Sequence, residues 1–144
     1  MHEWSVEVYE ALHDAGWRPG RRVETARWRE RFAAAGVEMH DVAERFLAEF
    51  GGLVFDIGGP GVTSAKEPFE LDPDLCEGEE GRFLGWGARL GKSLFPIGEL
   101  DGTFFLGIDQ DGAIYLVVDR VARFGVLEEG MEALVRGDLP EELA

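Results

Sequence analysis

A chain of 144 residues with 29 acidic and 14 basic side chains carries a formal net charge of −15. Such a charge repels DNA, RNA and anionic lipid, and no apolar run approaches the ~20 residues needed to span a bilayer. The single cysteine, Cys76, cannot close an internal disulfide, so stability must come from a hydrophobic core, which a chain of this length is large enough to build.

The N-terminal stretch has neither the basic region nor the apolar run of a signal peptide, and a cytoplasmic location is expected. With no internal repeat and no long linker, residues 1–144 are expected to form one domain.

In chain order, Trp4, Val8, Leu12 and Ala15 fall at helical spacing behind Ser5. Ser5 is the expected N-cap, Trp4 and Tyr9 the expected hydrophobic staple and Gly16 the stop. A second helix follows Arg-Pro-Gly-Arg-Arg, with Thr25, Trp28, Phe32 and Ala35 as its apolar stripe and Gly36 as its end. A third is expected to start at Asp41 as cap with Glu44 three residues on, and to bury Val42, Ala43, Phe46, Leu47 and Phe50 before Gly51-Gly52.

From Leu53 the period changes to that of strands, expected at 53–58, 67–71, 94–100, 103–109 and 113–118. Asp101-Gly102 and Gln110-Asp111-Gly112 are hairpin signals and predict an antiparallel meander. Residues 82–91 read as a short helix interrupted by glycines. Residues 126–135 read as a closing helix, with Leu127, Met131, Leu134 and Val135 inward and Gly137 as stop. The fold class is therefore α+β: N-terminal helices packed on one side of a mostly antiparallel sheet of about five strands, with a C-terminal helix.

Chemistry-bearing motifs are sparse. Gly91-Lys92-Ser93 has the tail of a phosphate-binding loop, but the glycine such a loop needs five residues before Gly91 is Trp86, and Pro96 follows where a helix should run. A turn that ends a helical segment at Gly91 explains it better. Asp109-Gln110-Asp111-Gly112 opens like a calcium loop, yet Arg120 stands where the twelfth-position glutamate belongs.

His2, His13 and His40 have no partners at metal-ligand spacing. Ser5, Ser64 and Ser93 lie outside any nucleophile elbow, and the acids around Cys76 are expected to raise its thiol pKa. Arg136-Gly137-Asp138 reads as a helix end, and the arginines of residues 18–31 as a solvated helix face. No catalytic residue, cofactor or metal is expected, and an enzyme using two of the carboxylates has the least support.

The segments AGWRPGR (15–21), FLAEFGGL (46–53), GPG (59–61), FELDP (69–73), LGKSLFPIGE (90–99) and FLGIDQDGAIY (105–115), taken in order, resemble the SUKH superfamily of immunity proteins. The resemblance is to the branch with a Gly-Trp-x-Pro-Gly-Arg opening and a Phe-Pro-Ile-Gly-Glu strand, and it covers about residues 10–139. It implies a stoichiometric binder that protects its cell from a cognate polymorphic toxin, often a nuclease, and not a catalyst. A nuclease holds a polyanion in a basic cleft, which an acidic protein can occupy with electrostatic help. The alternative is a general interaction or regulatory module of the same fold with no toxin partner.

All of the net charge lies in residues 37–144, because residues 1–36 hold six acids and six bases. Residues 66–81 alone contain seven acids and one lysine. Glu67, Glu70, Asp72, Asp74, Glu77, Glu79 and Glu80 are therefore the expected partner-binding residues, with the loop 74–82 as the expected seat of specificity. The helix face of Glu128, Glu129 and Glu132 is a second acidic candidate.

Overall fold

The computed structural model describes residues 2–143. Five α-helices, α1 (Val6–Ala15), α2 (Ala26–Ala33), α3 (Asp41–Phe50), α4 (Glu80–Leu90) and α5 (Glu128–Arg136), combine with one antiparallel sheet. Its strands are β1 (Val54–Phe55), β2 (Phe69–Glu70), β3 (Phe95–Leu100), β4 (Phe104–Ile108), β5 (Ala113–Val117), β6 (Val121–Val126) and β7 (Glu141–Glu142). Spatial order equals chain order, so the sheet is a pure meander. The fold class is the expected α+β, with seven strands rather than about five.

Local chemistry accounts for most element ends. The Ser5 side chain accepts from the Val8 N–H and caps α1, and Gly16 closes it in the left-handed region. At the β3–β4 hairpin Asp101 and Gly102 have φ of 54° and 63°, the double positive φ that the Asp-Gly signal predicts.

Three expectations are corrected. The cap of α3 is His40, whose Nδ1 accepts from the Ala43 N–H while Nε2 donates to the Ile108 carbonyl; one side chain thus starts the helix and ties it to β4. Trp4 packs beside His2 and Phe50, and Tyr9 beside His13 and Trp17. Ala35 is exposed, because α2 ends at Ala33. Residue 126 closes β6, and Leu127, exposed and with a positive φ of 48° that no right-handed helix contains, separates it from α5.

The sheet is also covered on both faces, not one. Ile108 and Ile114 pair across β4 and β5, and Gly130 of α5 sits against Ile114. The next pair along, Gly107 and Tyr115, points the other way, and there the Phe83 ring of α4 lies so close that a Cβ on Gly107 would come within 2.9 Å of it. Between the layers one continuous cluster of buried side chains forms the core, from Val8 and Leu12 of α1 through Trp28 and Phe32 of α2 to Ile97, Leu106 and Val117 of the sheet.

Candidate partner-binding surface

The seven acids of residues 67–80 divide into two groups with different surroundings. The Arg31 guanidinium of α2 reaches between Asp74 at 3.5 Å and Glu77 at 2.8 Å. Glu79 pairs with Arg82 at 2.8 Å, and the Glu80 carboxylate accepts from the Gly78 N–H. Asp72 accepts from the Asp74 N–H and caps the 3-10 turn Pro73–Cys76. In the loop expected to carry specificity, most of the charge is therefore already used to hold the loop itself.

The segment is also less exposed than its composition implies. Leu71, Pro73 and Cys76 are buried, and the Cys76 thiol donates to the Gly98 carbonyl at 3.2 Å. Burial, with smaller contributions from Glu99, Asp72 and Glu79, pushes that thiol far up, which leaves it inert as a nucleophile.

Glu67 and Glu70 belong to the second group, in and beside the sheet. Glu70 of β2 is the register partner of Glu99 of β3, in a transverse row that runs Val54, Glu70, Glu99, Phe105 and Val117. This row is on the α4 face; its β5 end, Val117, is fully buried, whereas its β1–β4 part is not. Val54 is exposed, and Glu70, Glu99 and Phe105 are half-buried. Glu67 lies at the end of the same ladder, where the Asp101 N–H donates to the Pro68 carbonyl. Desolvation, and then repulsion from Asp101, raises the Glu67 pKa above the usual carboxylate range.

Among the described residues none of Glu67, Glu70, Glu99 and Asp101 forms an ion pair. The β2–β3 ladder and its flanks thus carry four carboxylates without counter-ions among the described residues, with Glu70 and Glu99 in the row of the exposed Val54 and the half-buried Phe105. Glu99 and Asp101 were not among the expected binding residues. The apolar run before Glu99 and the Asp-Gly turn signal locate them on a strand and at its end, but a bulge between Pro96 and Gly98 sets the face of Glu99, and the pairing with Glu70 is visible only in the register.

Two of the three acids of the second candidate, Glu128 and Glu132, are occupied from within, while Glu129 is exposed. Glu128 contacts His2 Nδ1, and Glu132 accepts from both the N–H and the hydroxyl of Ser5. The Nε2 of His2 faces Glu49 of α3 at 2.8 Å. Residues 2–5 therefore strap α3 to α5. Desolvation lowers the His2 pKa and its two carboxylate partners raise it, with a net upward shift.

The remaining motifs resolve into structure. Gly91 ends α4 in the left-handed region as expected, Lys92 pairs with Asp111 at 3.0 Å, and the Ser93 N–H donates to Gln110. Asp109 is buried at 1% exposure and accepts from the Asp111 and Ala113 N–H groups and from the Tyr115 hydroxyl. Its loop is a hairpin turn. Gly137 of Arg136-Gly137-Asp138 closes α5. Among the described residues no three His, Cys, Asp or Glu side chains gather as a metal site, and no helix is long and apolar enough to cross a membrane.

The description SUKH-3 immunity protein is that of the family whose pattern matches residues 4–137, which includes every element from α1 to α5. No curated protein and no solved structure shows significant similarity to the chain.

Proposed function

Because the chain belongs to the SUKH-3 immunity protein family, we propose that it neutralises a cognate bacterial polymorphic toxin, a nuclease with a basic active cleft, by forming a stoichiometric complex. The observation that carries the choice of surface is the β2–β3 ladder. Glu67, Glu70, Glu99 and Asp101 have no counter-ion among the described residues, and two of them are direct cross-strand partners. Like charges placed opposite each other destabilise a sheet. An incoming lysine or arginine removes that penalty at the moment of binding, so the same four carboxylates gain more from a basic partner than pre-neutralised acids do.

The net charge of −15 adds long-range steering toward a basic surface. The whole chain acts as one binding domain in the cytoplasm and transforms nothing; Asp72, Asp74, Glu77, Glu79 and Glu80 contribute to the field more than to direct contact. Expression of a toxin domain encoded beside this reading frame, with and without the chain, tests the reading. Survival only in its presence is expected. Equal killing in both cultures would refute the immunity role.

A further inference from the structure

The loop 59–66 and the C-terminal end of α5 cross at two glycines. A Cβ on Gly61 would lie 2.7 Å from the Arg136 carbonyl oxygen and 2.8 Å from the Gly137 Cα, so only glycine allows the backbones to meet. The crossing is held by hydrogen bonds from the Val62 N–H to the Arg136 carbonyl, from the Ser64 N–H to the Gly137 carbonyl and from the Leu139 N–H to the Thr63 hydroxyl. The Gly-Pro-Gly and Arg-Gly-Asp stretches, which the binding ladder leaves unexplained, are the two halves of this crossing.

Beneath it lies an open cleft of about 320 Å³, on the sheet face opposite the Glu70–Glu99 pair. Its floor is apolar and includes Leu116, Leu134 and two half-buried phenylalanines, Phe104 and Phe124. Leu139 lines it at 66% exposure. That volume is at the small end for ligand cavities and suits one or two side chains rather than a cofactor.

The rim is predominantly acidic, with Glu67, Asp138 and Glu142 beside Arg120. Among the described residues Arg120 is the one cation lining the cleft, and it is taken by Glu142 while its guanidinium lies over the Phe104 ring. Glu67 and Asp138 remain without a cationic partner among the described residues. Glu67 precedes β2 in the chain, so the cleft borders the end of the acidic ladder. The Arg120–Phe104–Glu142 arrangement shows how a cationic side chain sits here, with its charged group over an aromatic ring and against a rim carboxylate.

We propose that this cleft is the anchoring pocket for a basic segment of the partner protein: a lysine or arginine beside an apolar residue, its stem on Phe124 and Leu116 and its charge at Glu67. The assignment rests on the immunity reading for the partner's identity and on the cleft for its chemistry. An apolar floor with an anionic rim selects against acidic segments by leaving their carboxylates beside Glu67, and against purely apolar ones by leaving Glu67 unpaired.

Three capped tripeptides, Leu-Lys-Leu, Leu-norleucine-Leu and Leu-Glu-Leu, titrated into the ¹⁵N-labelled protein supply the test. Saturable shifts at the amides of Ala65, Gly137 and Leu139 are expected with the lysine peptide, about three- to fivefold weaker binding with norleucine, the effect of one part-exposed ion pair, and weaker binding again with glutamate. Glu67→Gln should erase the lysine advantage and leave norleucine binding unchanged, and Ala65→Trp, at the exposed mouth, should abolish both. Equal binding of the three peptides, or shifts spread away from the cleft, would overturn the proposal.

The toxin assay separates the two readings. An Ala65→Trp protein that neutralises the toxin as well as wild type removes the cleft and leaves immunity intact. A wild-type protein that takes the lysine peptide but neutralises no toxin removes immunity and leaves the cleft.

Discussion

Glu70 and Glu99 stand directly opposite each other on β2 and β3, two half-buried carboxylates in one cross-strand pair. Cross-strand pairs contribute roughly 0.2–1 kcal/mol, and like charges reverse the sign. Glu99→Gln should therefore raise the stability of the free protein by a few tenths of a kcal/mol to about 1 kcal/mol, read as a higher urea midpoint at unchanged slope. The same variant should bind the toxin more weakly. A lower midpoint would mean that the pair is satisfied within the chain.

Two triple variants with the same change in net charge separate local contact from overall field. Glu67→Lys/Glu70→Lys/Glu99→Lys alters the unpaired ladder, whereas Glu77→Lys/Glu79→Lys/Glu80→Lys alters acids already held by Arg31, Arg82 and the Gly78 N–H. Both should slow association at low salt, and less so as screening rises. Only the ladder variant should also speed dissociation, because contact loss appears in the off-rate. Equal off-rates would return the interface to the loop 74–82.

The N-terminal strap makes stability depend on pH. With a carboxylate at each ring nitrogen, His2 satisfies both only as the imidazolium, and desolvation by burial opposes that charge. Its folded pKa lies above the ordinary 6.5, so the strap's contribution is complete below that pH and is lost as pH rises through the folded value. The melting-temperature difference between wild type and His2→Gln should be largest on the acid side of 6.5 and shrink above it. A difference that does not vary with pH would show that His2 contributes packing alone.

Asp109 should be a stability residue and not a binding one. It is buried and accepts three hydrogen bonds within its own hairpin, so Asp109→Ala leaves two N–H groups and a hydroxyl unpaired, at a cost of roughly 3 kcal/mol. Tyr115→Phe, which removes one donor, should cost about 1 kcal/mol. Urea denaturation measures both, and toxin affinity per folded molecule should stay at the wild-type value.

Much of this architecture is legible in the sequence because the chemistry that sets it is local. Apolar stripes such as Val8 with Leu12 and Phe46 with Phe50 mark helices, and Asp101-Gly102 marks its hairpin. Strand β6 escapes for a physical reason. Val121–Val126 contains exposed Arg123, a β-bulge that shifts its pairing with β5, and Gly125, so its alternation is broken. Strand β7 consists of two glutamates and exists only because β6 offers an edge.

The same distinction governs the binding surface. Seven acids in sixteen residues are obvious along the chain, but charge density is not charge availability. That Arg31 folds back between Asp74 and Glu77, and that Glu99 arrives opposite Glu70, are consequences of long-range packing and register. Neither has a signal in any short stretch of residues.

Calorimetric titration of the purified protein with the toxin domain encoded beside it, repeated with Glu70→Lys/Glu99→Lys, measures the binding role of the β2–β3 carboxylates most directly. A one-to-one complex with the wild type, substantially weakened in the double variant while its circular dichroism is unchanged, is the predicted result. No heat of binding with the wild type at micromolar concentrations, or the same affinity for both proteins, would contradict it.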